Sequence, residues 1–210
     1  MLCPRCGGVL DPVYDLDALR TSVSLECILS RRPGVWRWRE FLPVADESCR
    51  IDIGAGASHL VDALMDRGYQ SITVLDVSEK AMAVDQARLG PRASQVQWIA
   101  ADVTSWEPKQ RYALWHDRAV FHFLTDEQDR SAYVERLKQA LAPRGQAIIG
   151  TFALDGPERC SGLPVVRYDA ASLGRTLGEG FALEQALPYD HHTPWGSLQR
   201  FQFSRFRKLP

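Results

Sequence analysis

Residues 51–60 read IDIGAGASHL. Cys49–Ile53 is an apolar run suited to a strand, and Gly54 and Gly56 follow as a turn. Ser58–Arg67 continues as a helix in which Leu60, Val61, Leu64 and Met65 share one face. A glycine turn directly after a first strand lets backbone N–H groups approach a ligand where a Cβ would collide. The unit therefore predicts an open α/β sheet with a ligand beyond the carboxyl end of its strands.

The same rhythm repeats downstream. Ser71–Leu75, Val96–Ala100 and Tyr112–His116 read as strands, and Ser78–Leu89 as a helix capped by Ser78. Between Asp126 and Leu141, residues Tyr133, Val134, Leu137, Ala140 and Leu141 keep helical spacing. Pro143 and Gly145 are expected to stop that helix before QAIIGTF forms a fifth strand. Strands and helices alternating through short connections imply a parallel sheet covered by helices on both faces. FALEQAL and QRFQFSRF, separated by PYDHHTPWGSL, read as a hairpin that closes the sheet with an antiparallel member. Residues 1–44 have another character: a CxxC, two Pro-containing turns and the run VWRWREFLP. A boundary near Ala45 divides this arm from a domain over 45–210.

The 210 residues suffice for one full domain with an appendage. A net charge of −1 excludes a global basic field for nucleic acid or anionic membrane. No basic stripe with interleaved aromatics occurs outside RRPGVWRWR. No apolar run approaches the roughly 18 residues of a membrane span. The start, MLCPRCGG, lacks a signal-peptide layout, and five cysteines, an odd number, argue for a reducing cytoplasm over a disulfide framework.

Two cofactor patterns use such a glycine loop. A dinucleotide fold wants G-x-G-x-x-G, whose third glycine falls on His59; the S-adenosylmethionine pattern G-x-G-x-G puts it at Ser58. Serine is the milder departure, being small and able to cap the next helix. Asp76 ends the second strand, 22 residues after Gly54, where a carboxylate can accept both ribose hydroxyls. Asp102 ends the third strand, placed to accept from an adenine amino group. Asp52, ahead of the glycines, suits the ammonium of a bound amino acid and would repel a pyrophosphate. The acids favour S-adenosylmethionine over NAD.

IDIGAGAS, TVLDVSEKAM, WIAADVTSW and YALWHDRAVFHFL resemble successive motifs of class I S-adenosylmethionine-dependent methyltransferases, over about residues 49–206. The resemblance implies a Rossmann-like, seven-stranded sheet, mostly parallel, with a C-terminal antiparallel hairpin. It also adds Val77, Val103 and His116 to the expected cofactor contacts Asp52, Gly54, Gly56, Ser58, Asp76 and Asp102. The expected activity is methyl transfer to a small molecule. A lysine side chain as acceptor, a non-catalytic cofactor sensor that docks a partner, and an NAD-dependent oxidoreductase are the alternatives.

Three segments follow the later strands, where an acceptor would sit. His122, between Phe121 and Phe123, is the candidate base, against a packed core histidine. Asp117 is a second catalytic candidate; Asp117 and Arg118 position cofactor or acceptor, or pair with each other. Cys160, Arg167 and Tyr168 sit on a long segment that suggests a lid, and Arg167 suits an acceptor carboxylate. His191, His192 and Trp195 are acceptor candidates in the last segment; adjacent histidines usually diverge, which disfavours a metal there.

CPRCGGVLDPVYDLD and GVWRWREFLPV resemble the start of threonine synthase-like enzymes, whose large pyridoxal-phosphate domain does not follow here. Cys3 and Cys6 form a single knuckle, and Cys27 offers a third ligand without a fourth, so zinc is a candidate but not favoured. Trp36 and Trp38 are expected to cover the cofactor, and a homodimer through this arm is the candidate assembly.

Overall fold

The computed structural model describes residues 49–56, 58–193 and 196–210. The expectations for Cys3, Cys6, Cys27, Trp36, Trp38, the boundary near Ala45, the arm-mediated dimer and Trp195 lie outside these residues.

The opening unit folds as β1 (Arg50–Ile53) and α1 (Leu60–Asp66), followed by β2 (Ile72–Asp76), α2 (Glu79–Leu89) and β3 (Val96–Ala100). Then come β4 (Tyr112–Arg118), a 3-10 turn at Phe121–Phe123, α3 (Glu127–Ala140) and β5 (Leu141–Phe152). A small hairpin of β6 (Arg159–Cys160) and β7 (Leu163–Pro164) precedes α4 (Ala170–Leu177), β8 (Phe181–His192) and β9 (Leu198–Lys208). Seven strands form one sheet in the order β3-β2-β1-β4-β5-β9-β8. The first five are parallel, whereas β9 runs antiparallel to β5 and β8 to β9. From β1 the chain proceeds outward to β2 and β3, then returns to the other side of β1 as β4. That reversal between β1 and β4 opens a crevice at their carboxyl ends, where open α/β sheets bind ligands.

One core cluster covers a face of this sheet. Ile51, Ile53, Trp115, Ala147, Ile149 and Phe206 pack there with Tyr133, Val134 and Leu137 of α3 and Leu173 and Leu177 of α4. Ile72 and Val74 alternate with Leu75 and so point to the other face; they are buried, as are Val61 of α1 and Met82 and Leu89 of α2.

Three local expectations change. The helix ends at Ala140 and β5 starts at once, because the register from Tyr112/Leu141 to Leu114/Gln146 absorbs APRG as a bulge. The last hairpin is longer than its flanking turn residues suggest: YDHH pairs with β9, His192 opposite Leu198. Pro188 is tolerated because β8 is the edge strand. Helix α4 was not foreseen, although Asp169 and Ser172 form a reciprocal capping box, Leu173 and Leu177 share a face, and Gly178 ends it.

Candidate active site

The glycine loop is held from three directions. Gly54 has φ +63°, and its N–H donates to the Leu75 carbonyl at 2.7 Å. A Cβ at Gly54 would overlap Cγ2 of Val120, which lies after β4. The close approach that requires this glycine is thus made by the protein itself. Gly56 (φ +56°) differs: a Cβ there would meet nothing within 4 Å among the described residues, so its side faces open space. Ser58 Oγ accepts from the Leu60 N–H at 3.1 Å, a local turn bond; the N-cap position is His59, whose side chain makes no capping bond.

The third hold is Arg88 of α2, which sequence spacing gave no reason to single out. Its Nη2 donates to the Ser58 carbonyl and to Asp62, both at 2.7 Å, and its Nη1 to Asp85 at 2.6 Å. One guanidinium therefore ties the loop to α1 and α2. The Asp62 carboxyl is held below its usual range by these Arg88 hydrogen bonds.

Asp76 stands beneath the loop. Its Oδ2 accepts from the Gly56 N–H at 2.8 Å and its Oδ1 from the Ser78 N–H at 2.7 Å. Each oxygen keeps a further lone pair. Between the ends of β2 and β3 lies an open groove of about 600 Å³, lined by Val77, Ser78, Glu79, Lys80, Ala100, Ala101 and Asp102. Val77 is 73% exposed there, an unusual position for a valine. Asp102 Oδ1 accepts from the N–H and hydroxyl of Thr104, at 2.8 and 2.7 Å, which fixes the carboxylate at the groove. Val103 is in the core, so only its backbone is available to a ligand.

Asp52 and His116 are cross-strand neighbours, and Asp52 Oδ1 lies 2.7 Å from His116 Nδ1. Burial pushes the imidazole down, but the bond to Asp52 and the charges of Asp52 and Asp117 outweigh it and hold His116 above its ordinary value. The next residue, Asp117, is fully buried and fully engaged. Its Oδ1 accepts from the Val120 N–H at 2.9 Å; its Oδ2 accepts from the Phe121 N–H at 3.1 Å and the Tyr133 hydroxyl at 2.5 Å. Trp115 Nε1 donates to the same hydroxyl at 2.8 Å. Burial raises the Asp117 carboxyl to about 6 against the pull of these donors. Asp117 thus pins Val120 over Gly54 at the crevice; it does not pair with Arg118.

His122 is also inside. Its ring lies 4.6 Å from Phe123 and 4.8 Å from Phe152, and Nδ1 accepts from the Phe152 N–H at 3.4 Å. Nε2 is buried without a partner among the described residues, and burial lowers the imidazole to about 4. This is the geometry of a core histidine, not of a base open to an acceptor. Tyr168 is likewise in the core against Phe121, with ring centroids 5.4 Å apart.

Arg167 and Arg118 differ in what engages them. Arg167 donates to the Gly156 carbonyl and to Glu158, both at 3.1 Å, bracing the segment around β6 and β7. Arg118 ends β4 exposed, with its guanidinium carbon 5.5 Å from the Phe201 ring centroid and no ion pair among the described residues. His191 and His192 diverge, as neighbours on a strand must. His191 joins Tyr189 and Phe201, at centroid distances of 6.5 and 6.2 Å, while His192 is exposed. Among the described residues no group of three or more His, Cys, Asp or Glu is placed to hold a metal. No described helix is long and apolar enough to cross a membrane.

Residues 51–145, from β1 through the bulge of β5, match the family model described as a methyltransferase domain. The match covers a little under half of the chain. Nodulation protein S of Sinorhizobium fredii is 28% identical to the chain over 101 residues, covering 48% of this chain and 46% of that protein. A 56-residue stretch, 27% of the chain, is 42% identical to threonine synthase of Methanocaldococcus jannaschii but covers only 14% of it. The chain thus spans less than half the length of these curated relatives. The N-methyltransferase NodS from Bradyrhizobium japonicum WM9 shares the fold, with a TM-score of 0.63 at 19% identity over 78% of this chain and 86% of that one. The likeness to this solved structure is one of fold.

Proposed function

We propose that the chain transfers a methyl group from S-adenosylmethionine to a small-molecule acceptor. The observation that carries this reading is the groove beside the glycine loop. There an exposed valine face meets the strand-end carboxylate of Asp102, and Asp76, next to Val77, accepts from the N–H of Gly56, whose side is open. Asp76 would take the ribose hydroxyls with its free lone pairs, Val77 the adenine face, and Asp102 with the Val103 backbone the adenine edge. Asp52, with its second oxygen, would face the amino end, and Gly54, Gly56 and Ser58 would border the same ligand. An ammonium is favoured over a pyrophosphate at this end, because the Asp52 carboxyl lies at the loop, with Oδ1 2.7 Å from His116 Nδ1.

S-adenosylmethionine supplies an electrophilic methyl carbon and a neutral thioether leaving group. The protein's task is then alignment and exclusion of water. Asp117 and Val120 close the crevice beside Gly54, and Asp52 and His116 set its charge. His122 is sealed in the core, so the arrangement suits an acceptor whose nucleophilic lone pair is free at neutral pH and needs no base. Such an acceptor donates its lone pair to the methyl carbon, the C–S bond breaks, and any surplus proton leaves to solvent.

Calorimetry with S-adenosylhomocysteine and with NADH tests the cofactor. Binding of the first and not the second is expected, and Asp76→Ala should abolish it. Tight NADH binding without S-adenosylhomocysteine binding would overturn the reading.

A further inference from the structure

The register of the sheet lines up a second set of residues beside this crevice. Arg118 is opposite Gly150, Gly150 opposite Phe203, and Phe203 opposite Leu187. Tyr189 and His191 follow Leu187 at alternate positions on β8, and therefore share its face. Arg118, Leu187, Tyr189, His191 and Phe203 bound a cavity of about 370 Å³ open to solvent. His116 lies two residues before Arg118 on the same strand, so the cavity shares a face with the Asp52–His116 pair.

Its wall is flat and aromatic. A Cβ at Gly150 would lie 2.5–2.9 Å from atoms of the Phe203 ring, so glycine is what lets that ring lie down on β5. Phe201 stacks beside Phe203 with centroids 6.0 Å apart, and Tyr189 meets Phe203 edge-on at 6.0 Å. Leu187 and Tyr189 remain 54% and 49% exposed, apolar surface that a ligand would cover. At the rim stands Arg118, whose guanidinium lacks a carboxylate or hydrogen-bond partner among the described residues.

We propose that this cavity is the acceptor subsite of the methyltransferase and takes a planar aromatic or heteroaromatic acid, its ring against Phe203 and its carboxylate on Arg118. The inference rests on the methyl-transfer reading above. A guanidinium fork matches one planar carboxylate through two parallel hydrogen bonds. A phosphate dianion would ask for a second cation. His191 is a poorer second cation than a free histidine, because burial and the charges of Arg118 and His192 hold its imidazole below the ordinary value. The volume suits an acceptor of one or two rings, at the small end of the roughly 300–1,000 Å³ typical of ligand pockets.

The test is calorimetry on the full chain, with S-adenosylhomocysteine at saturation. Benzoate, anthranilate and quinoline-2-carboxylate are titrated against benzamide and inorganic phosphate. At least one aromatic acid is expected to bind, and benzamide about ten-fold or more weaker, the loss of one charge-assisted contact. Arg118→Gln should weaken the acids by roughly ten- to hundred-fold, with Arg118→Lys intermediate. Gly150→Ala, which displaces Phe203, should weaken acid and amide alike. Equal binding of acid and amide, phosphate binding better than any acid, no binding of any acid, or indifference to Arg118→Gln would each overturn the proposal. S-adenosylhomocysteine binding is the separate readout: its absence in the unaltered chain would defeat the methyltransferase reading instead.

Discussion

Gly54→Ala should destabilise the protein before any ligand is added, and Val120→Ala should relieve part of that loss. Alanine at φ +63° costs about 1–2 kcal/mol in the left-handed region. Its Cβ would also overlap Val120 Cγ2, and forcing a methyl into packed space costs typically about 1–3 kcal/mol. Gly54→Ala alone is then expected to cost about 2–5 kcal/mol. In a Val120→Ala background the nearest atom left is the residue 120 Cβ at 3.4 Å, an ordinary contact, so only the backbone cost remains. The coupling between the two positions is thus about 1–3 kcal/mol, well above the roughly 0.5 kcal/mol within which independent sites add. Gly56→Ala, with φ +56° and open space beside it, should cost only the backbone part. Urea unfolding of the four proteins in the cycle, without ligand, measures this directly. Additive effects, or a Gly56→Ala loss as large as that of Gly54→Ala, would refute the argument. A glycine needed only for a ligand predicts something different: no more than the backbone cost in apo stability, no coupling to Val120, and lost S-adenosylhomocysteine binding.

The Asp52–His116 pair gives a titration test. Asp52→Asn removes the Asp52 bond and charge and leaves burial opposed by the charge of Asp117, so the His116 pKa should fall by NMR; an unchanged value would deny the pair. Asp117 and His122 oppose each other in acid. Raised to about 6, Asp117 favours the folded state below pH 4, and that stabilisation is lost as pH rises towards 6. Lowered to about 4, His122 does the reverse: its contribution is present above pH 6.5 and lost as pH falls towards 4. Each shift of some two units corresponds to roughly 3 kcal/mol, so the two nearly cancel. Urea unfolding between pH 4 and 7 should therefore become steeper on the acid side in Asp117→Asn and reverse its slope in His122→Phe; the opposite order would contradict both environments. Arg88→Met should lower stability by about 1 kcal/mol and weaken S-adenosylhomocysteine binding several-fold by freeing the Ser58 carbonyl, with wild-type affinity as the disproof.

Much of this was local information. The alternation of apolar runs with helical spacing specified a parallel sheet, because periods of 2 and 3.6 report which side of each element is buried. The positions of Gly54, Gly56, Asp76 and Asp102 at strand ends were legible because a residue's place in a strand–turn–helix unit is set by its neighbours. Helix α4 is marked in the sequence too, by the Asp169–Ser172 capping box and the Leu173/Leu177 spacing.

What only the tertiary structure decided concerns side chains whose partners are remote in the chain. Val120 sits on Gly54, Arg88 grips Ser58 across 30 residues, and Asp52 meets His116 across 64. His122 and Asp117 looked catalytic from residue type alone; packing against Phe152 and Tyr133 makes them core posts. Arg167 and Arg118 are equal as letters, yet one is braced by Gly156 and Glu158 while the other is left exposed over Phe201. Backbone order follows from local pattern. A side chain's availability for chemistry follows from which distant groups reach it first, and no local period encodes that.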